Sequence, residues 1–179
     1  MKILENKRYF VLFGMLGFLA GILYANLVSR DYIANMGVFN TYFLEQYQQA
    51  DINAAEYVWY IIRIRAVPLL FLIAAGEMKV RKAAASLFLL WTCFLGGLLM
   101  TSAVMKMGMK GLILCLMALV PHAFFYLAGY LILLWYLLAY PMVRWNLSKT
   151  VCMILFMLMG ILTECYVNPV VMQLFIKTL

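Results

Sequence analysis

Charge is scarce in this sequence. Only 12% of its 179 residues are Asp, Glu, Lys or Arg, whereas 68% are hydrophobic; an ordinary soluble domain carries about twice the charge. A globule of this length has too little interior to hide so much apolar surface, so lipid is the solvent for most of it. Soluble enzymes and nucleic-acid-binding domains are thereby excluded. Lys and Arg number 14 against seven acids, giving a net charge of +7. They stand in small groups at the ends of apolar runs, where they report membrane topology and not a nucleic-acid surface.

Other absences narrow the chemistry. There is one histidine, and the four cysteines (Cys93, Cys115, Cys152, Cys165) lie inside apolar stretches with no C-x-x-C pair. They read as small apolar side chains of a helix bundle, so no zinc or thiol redox site is expected. No H-E-x-x-H, G-x-S-x-G, Gly-rich phosphate loop or usefully spaced carboxylate pair occurs. The chain reads as non-enzymatic, with no catalytic residue, metal or cofactor.

What is present is a succession of long apolar runs. They predict a single integral membrane domain over residues 1–179, an all-α polytopic transmembrane helix bundle of about five spans. The first, 9–28, follows Lys2, Lys7 and Arg8. It is long enough to cross and has no small-x-small cleavage site, so it reads as a retained helix and not a signal peptide. Gly14, Gly17 and Gly21 share one face of it, which lets another helix approach closely. Residues 29–57 turn polar. Phe39, Tyr42, Phe43 and Tyr47 recur at helical spacing within 38–50, predicting an outer amphipathic segment. Asn53 with Glu56 resembles a capping box opening the next helix.

Further spans are predicted at 58–76, 83–105, 111–140 and 150–166. The fourth is longer than one straight crossing needs and contains Pro121, which predicts a kink or two half-helices. A complete hairpin there would make six crossings. Pro169 is expected to end the last span before a short amphipathic tail. With five spans and the N-terminus cytoplasmic, the inner segments hold eight basic residues (Lys2, Lys7, Arg8, Lys79, Arg81, Lys82, Arg144, Lys149). The outer ones hold four (Arg30, Lys106, Lys110, Lys177). That bias favours N-in, C-out.

Ionisable groups within spans cost a few kcal/mol on insertion scales and are functional candidates by default. Arg63 and Arg65 lie toward the outer end of the second span, about 200° apart round a helix, so they cannot both face one partner. Either one snorkels to the interface, or one pairs with Glu164 in the fifth span. His122 follows Pro121. The bland account has it bonding to a backbone carbonyl freed at the proline, with Tyr126 one turn on as a further partner. A proton relay would need a second titratable group nearby, and none is close in sequence.

Two stretches carry a resemblance. Leu119-Val-Pro121-His122-Ala-Phe-Phe-Tyr126-Leu resembles a P-H-G-x-x-E signature, and Glu164-Cys-Tyr166-Val-Asn168-Pro169 an E-x-Y-x-[ST]-P signature, of the stage II sporulation protein M family. Their order, their spacing and the five-span layout are similar to that family. Ala123, Tyr126 and Asn168 depart from it, and Tyr126 stands where many members have Glu. The resemblance implies a membrane scaffold of endospore formation that assembles membrane-anchored peptidoglycan hydrolases at the septum for engulfment of the forespore. The expected partners are those hydrolases, membrane lipids and, as a candidate, a second copy of the chain, but no nucleic acid. On that reading the 29–57 segment and the Gly14/Gly17/Gly21 face are the docking surfaces. The competing reading is an accessory or permease subunit of a small transporter. It would need broken helices and buried polar groups around a midplane site, and Thr92, Thr101, Ser102 and His122 are nearly the whole polar stock.

Overall fold

The computed structural model describes residues 2–27 and 54–177, with side chains from residues 11 and 55 onward in each stretch. The predicted amphipathic segment, up to residue 53, and Asn53 of the capping box lie outside the described residues. The protein is an all-α polytopic helix bundle. In lipid every backbone N–H and C=O must find its partner internally, and among single apolar segments only a helix achieves that. The elements are α1 (Lys2–Leu27), α2 (Ala54–Glu77), α3 (Arg81–Met107), α4 (Met109–Ala139), α5 (Leu147–Leu162), a π-helical turn (Thr163–Val167) and α6 (Asn168–Ile176). Four helical stretches are long and apolar enough to cross a membrane: Ala55–Glu77, Arg81–Met107, Met109–Ala139 and Leu147–Ile176. The apolar part of α1, Val11–Leu27, is shorter. Large apolar side chains such as Phe124 (71% exposed) and Val67 (68%) point away from the protein, as a lipid-facing surface requires.

Sequence and structure differ at three prolines or turns. Pro121 lies inside one continuous helix, so α4 is neither a hairpin nor two half-helices. Pro169 does not end the last span. The chain passes through the π turn, where the Asn168 amide bonds five residues back to the Thr163 carbonyl, and continues as α6. Pro169 can donate nothing to the Cys165 carbonyl four residues back, and the wider turn just ahead of it accommodates that interruption. Finally, the Lys106–Gly111 linker is almost wholly helical. Gly108 alone separates α3 from α4, at φ 60° and ψ −140°, a conformation open in practice only to glycine.

The glycine face of α1 has an internal partner. α1 packs chiefly on α3, and the two backbones nearly touch. A Cβ at Gly17 would land on the Leu90 carbonyl oxygen, one at Gly21 on that of Phe94, and one at Gly97 of α3 on that of Phe18. Absent side chains on both helices give the close van der Waals contact that drives association where lipid supplies no hydrophobic force. Gly17 and Gly21 are buried there and are not available to an outside partner. Gly14, one turn away, meets only the Cys93 sulfur.

Elsewhere α2, α3, α4 and α5 meet around Leu72, Ala85, Leu133, Leu137 and Met153, all buried. At one end of this core the Arg81 guanidinium stacks 3.7 Å from the Tyr140 ring centroid. That contact puts the α2–α3 turn and the α4–α5 loop, both basic, on one side of the bundle. Asn146 caps α5 by accepting from the Lys149 amide. Gly21→Ala and Gly97→Ala are each expected to destabilise the protein by about 1–3 kcal/mol through overpacking. Gly96→Ala, whose Cβ would meet nothing, should change stability by less than about 0.5 kcal/mol. Reversible unfolding in mixed micelles reads the difference.

Candidate functional site

The polar residues within the helices fall into two groups. Thr101, Ser102 and Thr163 return their hydroxyls to carbonyls one turn back in their own helices, at 2.7–2.9 Å, and Thr92 bonds to the Phe88 carbonyl in the same way. They are locally satisfied and bind nothing across the bundle. Arg65, His122, Tyr126 and Glu164 converge instead.

Their depth follows from the helix lengths. Arg65 stands halfway along the 24-residue α2, and His122 and Tyr126 flank the midpoint of the 31-residue α4. Glu164 sits near the middle of the 30-residue stretch Leu147–Ile176. Arg65 is therefore central, not near the outer end as its sequence position suggests. A proline accompanies the polar residue on each helix: Pro68 on α2, Pro121 on α4 and Pro169 beyond the π turn. Each deprives a carbonyl of its donor, so each of the three stretches lacks one backbone hydrogen bond while continuing as helix.

Glu164 is the hub. Its side chain is only 8% exposed and that of Arg65 32%. Arg65 grips the carboxylate with two donors, Nη2 to Oε1 at 2.5 Å and Nε to Oε2 at 3.0 Å. The Tyr126 hydroxyl donates to Oε2 at 2.6 Å. A forked guanidinium fits a carboxylate in a way that a lysine ammonium cannot. The guanidinium also lies 4.7 Å from the Tyr126 ring centroid, adding a cation–π contact. Tyr130, one turn along α4, donates to the Arg65 backbone carbonyl at 3.4 Å. α2, α4 and the π turn are thus joined by one ion pair and its hydrogen bonds.

His122 completes the cluster, though not as its sequence position suggests. It makes no bond to a carbonyl freed by Pro121. Its Nε2 lies 3.8 Å from Glu164 Oε1, while Nδ1 is buried without a partner. The His122 and Tyr126 rings meet edge to face, 5.9 Å apart, and the tyrosine hydroxyl goes to Glu164 instead. A second titratable group does stand beside His122; it comes from another helix. Arg63 is exposed, with its guanidinium 5.7 Å from the Trp59 ring, and takes no part. Tyr166 is 58% exposed and lies outside the cluster. Asn168 Oδ1 is buried without a partner. Among the described residues no three His, Cys, Asp or Glu side chains gather to hold a metal ion, and the four cysteines are unpaired.

A cleft of about 410 Å³ adjoins the cluster. It runs between α1, α3 and α4; Phe88, Leu89 and Leu131 form its walls, and Arg65, His122 and Tyr126 its polar part. Sequence reasoning missed this cleft, and it missed Tyr130.

No family model matches the chain, nor does any curated protein or solved structure.

The geometry makes Arg65, not Arg63, the partner of Glu164. In a double-mutant cycle on unfolding, Arg65→Gln and Glu164→Gln should be non-additive by about 1–3 kcal/mol, whereas Arg63→Gln and Glu164→Gln should add within about 0.5 kcal/mol. Tyr126→Phe, which removes one hydrogen bond to the charged carboxylate, is expected to cost about 1.5–3 kcal/mol in the same assay.

Proposed function

We propose that this chain is a non-enzymatic membrane scaffold of bacterial endospore formation, holding membrane-anchored peptidoglycan hydrolases at the septal membrane during engulfment. The observation that carries the reading is the meeting of the two motifs behind the resemblance. His122 and Tyr126 of the first stretch and Glu164 of the second, on different helices, come together in a cluster whose carboxylate is bonded to Arg65 and Tyr126. A carboxylate held by three donors from two other helices locks helices together; it is poorly placed to bind and release a cargo ion.

The glycine face is occupied by α3, so the docking surface for hydrolases on this reading is the polar 29–57 segment. The clustering of Lys79, Arg81, Lys82, Arg144 and Lys149 at one end favours that end as cytoplasmic, with the N-terminus inside. A transport subunit is the second reading, favoured by the cleft that adjoins the buried polar cluster.

Cross-linked affinity purification of the tagged protein from its own cells, sampled through starvation, separates the two. Peptidoglycan hydrolases recovered only as sporulation begins, and lost when residues 38–50 are deleted, are the expected result. Constant recovery of an ATPase or permease, without hydrolases, would replace the scaffold with the transport reading.

A further inference from the structure

A groove of about 520 Å³ lies where α4 turns into α5, at the basic end of the bundle, and no residue of the Glu164 cluster lines it. Its inner part is apolar and lined by Leu131, Trp135 and Cys152. At a rise of about 1.5 Å per residue, Leu131 stands about 12 Å below the end of α4 at Ala139. The groove therefore runs from the loop into the hydrocarbon, with Leu131 and Cys152 exposed along it. Trp135, half-buried, stands about 6 Å below the same end, near the headgroup level where tryptophan concentrates.

The outer part is polar and lined by Asn146, Ser148 and Lys149. Asn146 Oδ1 is taken by the Lys149 amide, which leaves its Nδ2 as a donor. Lys149 Nζ donates to the Arg144 carbonyl; that bond anchors the ammonium at the rim and leaves its other N–H groups to a ligand. No acid answers the charge. The sequence holds no Asp or Glu between Glu77 and Glu164; Glu164 is gripped by Arg65, and Glu77 lines a different pocket. Among the described residues neither Arg144 nor Lys149 forms an ion pair. The positive-inside bias accounts for cations on this side of the membrane, but not for a cation at the head of an apolar groove.

The complementary ligand carries net negative charge and oxygen acceptors at one end and hydrocarbon at the other. A zwitterionic phospholipid would bring its own cation beside Lys149, with no carboxylate in the groove to receive it. A free phosphate would make no use of the apolar part. We propose that the groove holds one anionic phospholipid of the surrounding bilayer. Its phosphate accepts from Lys149 Nζ and the Ser148 hydroxyl, and the upper part of one acyl chain lies along Trp135 and Leu131. Basic pockets between helices at a membrane surface recognise such headgroups. The site does not rest on the scaffold reading.

The test uses the full-length protein in nanodiscs of equimolar dioleoyl phosphatidylglycerol and dioleoyl phosphatidylcholine, with native mass spectrometry reading the lipid retained on release. Phosphatidylglycerol should be retained about fivefold better, the value of one lysine beside an anionic lipid. Lys149→Gln should bring the two lipids to parity. Lys82→Gln, the same loss of charge at the same end but outside the groove, should leave the preference intact. Cys152→Phe, which fills the apolar part from an exposed position, should lower phosphatidylglycerol retention, and inorganic phosphate should not displace the lipid. Equal retention of the two lipids by the wild type, a preference lost as readily with Lys82→Gln as with Lys149→Gln, retention unchanged by Cys152→Phe, or displacement by phosphate would overturn the proposal.

Discussion

A carboxylate in the middle of a membrane protein must be given its counter-charge by the fold, and Glu164 is built around that requirement. Lipid offers no water to solvate an anion, so Glu164 stays charged at that depth only because Arg65 and Tyr126 arrive from two other helices. Everything near it serves that meeting. The π turn sets Glu164 in a widened stretch of backbone just ahead of Pro169, and π turns recur where helices are adapted for special roles. Tyr130 holds the Arg65 backbone, while the Tyr126 ring lies against its guanidinium. Loss of any one donor leaves a buried charge under-satisfied, so the cluster works as a unit.

The rest of the bundle is held by a different kind of force. α1 and α3 meet through missing side chains, with Gly17, Gly21 and Gly97 bringing backbones into contact. α3 and α4 are joined by a single glycine in a conformation other residues avoid. Both devices rely on shape alone, need no polar group, and leave the charged chemistry to α2, α4 and the π turn. The cleft lies where the two regions adjoin, bounded by Phe18 of α1 and by His122 of α4.

Much of this was legible in the sequence, and the failures have physical causes. The helices follow from long apolar runs, because lipid permits few alternatives to a helix. Arg65 and Glu164 were candidate partners for the same reason that they pair: each needs an opposite charge at similar depth. Choosing Arg65 over Arg63 required the helix rotation, which charge spacing does not supply. The partner of His122 was missed because Glu164 is distant along the chain; the adjacent Tyr126 itself is 38 residues from it. Pro169 misled for another reason, since a proline normally stops a helix unless a wider turn absorbs the lost bond. The glycine face was recognised as a packing surface, but its partner within the chain became visible only when Gly97 was seen opposite it. Pro68 was the overlooked signal: beside Arg65, it matches Pro121 beside His122 and Pro169 after Glu164.

Hydrogen–deuterium exchange of the protein in lipid bilayers, comparing wild type with Glu164→Gln, tests most directly whether one carboxylate ties three helices together. Local opening reports the stability of each unit separately. The account predicts faster exchange at three places together: around Arg65 in α2, around Tyr126 in α4, and through Thr163–Val167. The glycine-packed pair of α1 and α3 should be unchanged. Faster exchange confined to the π turn and α6, with α2 and α4 protected as before, would contradict it.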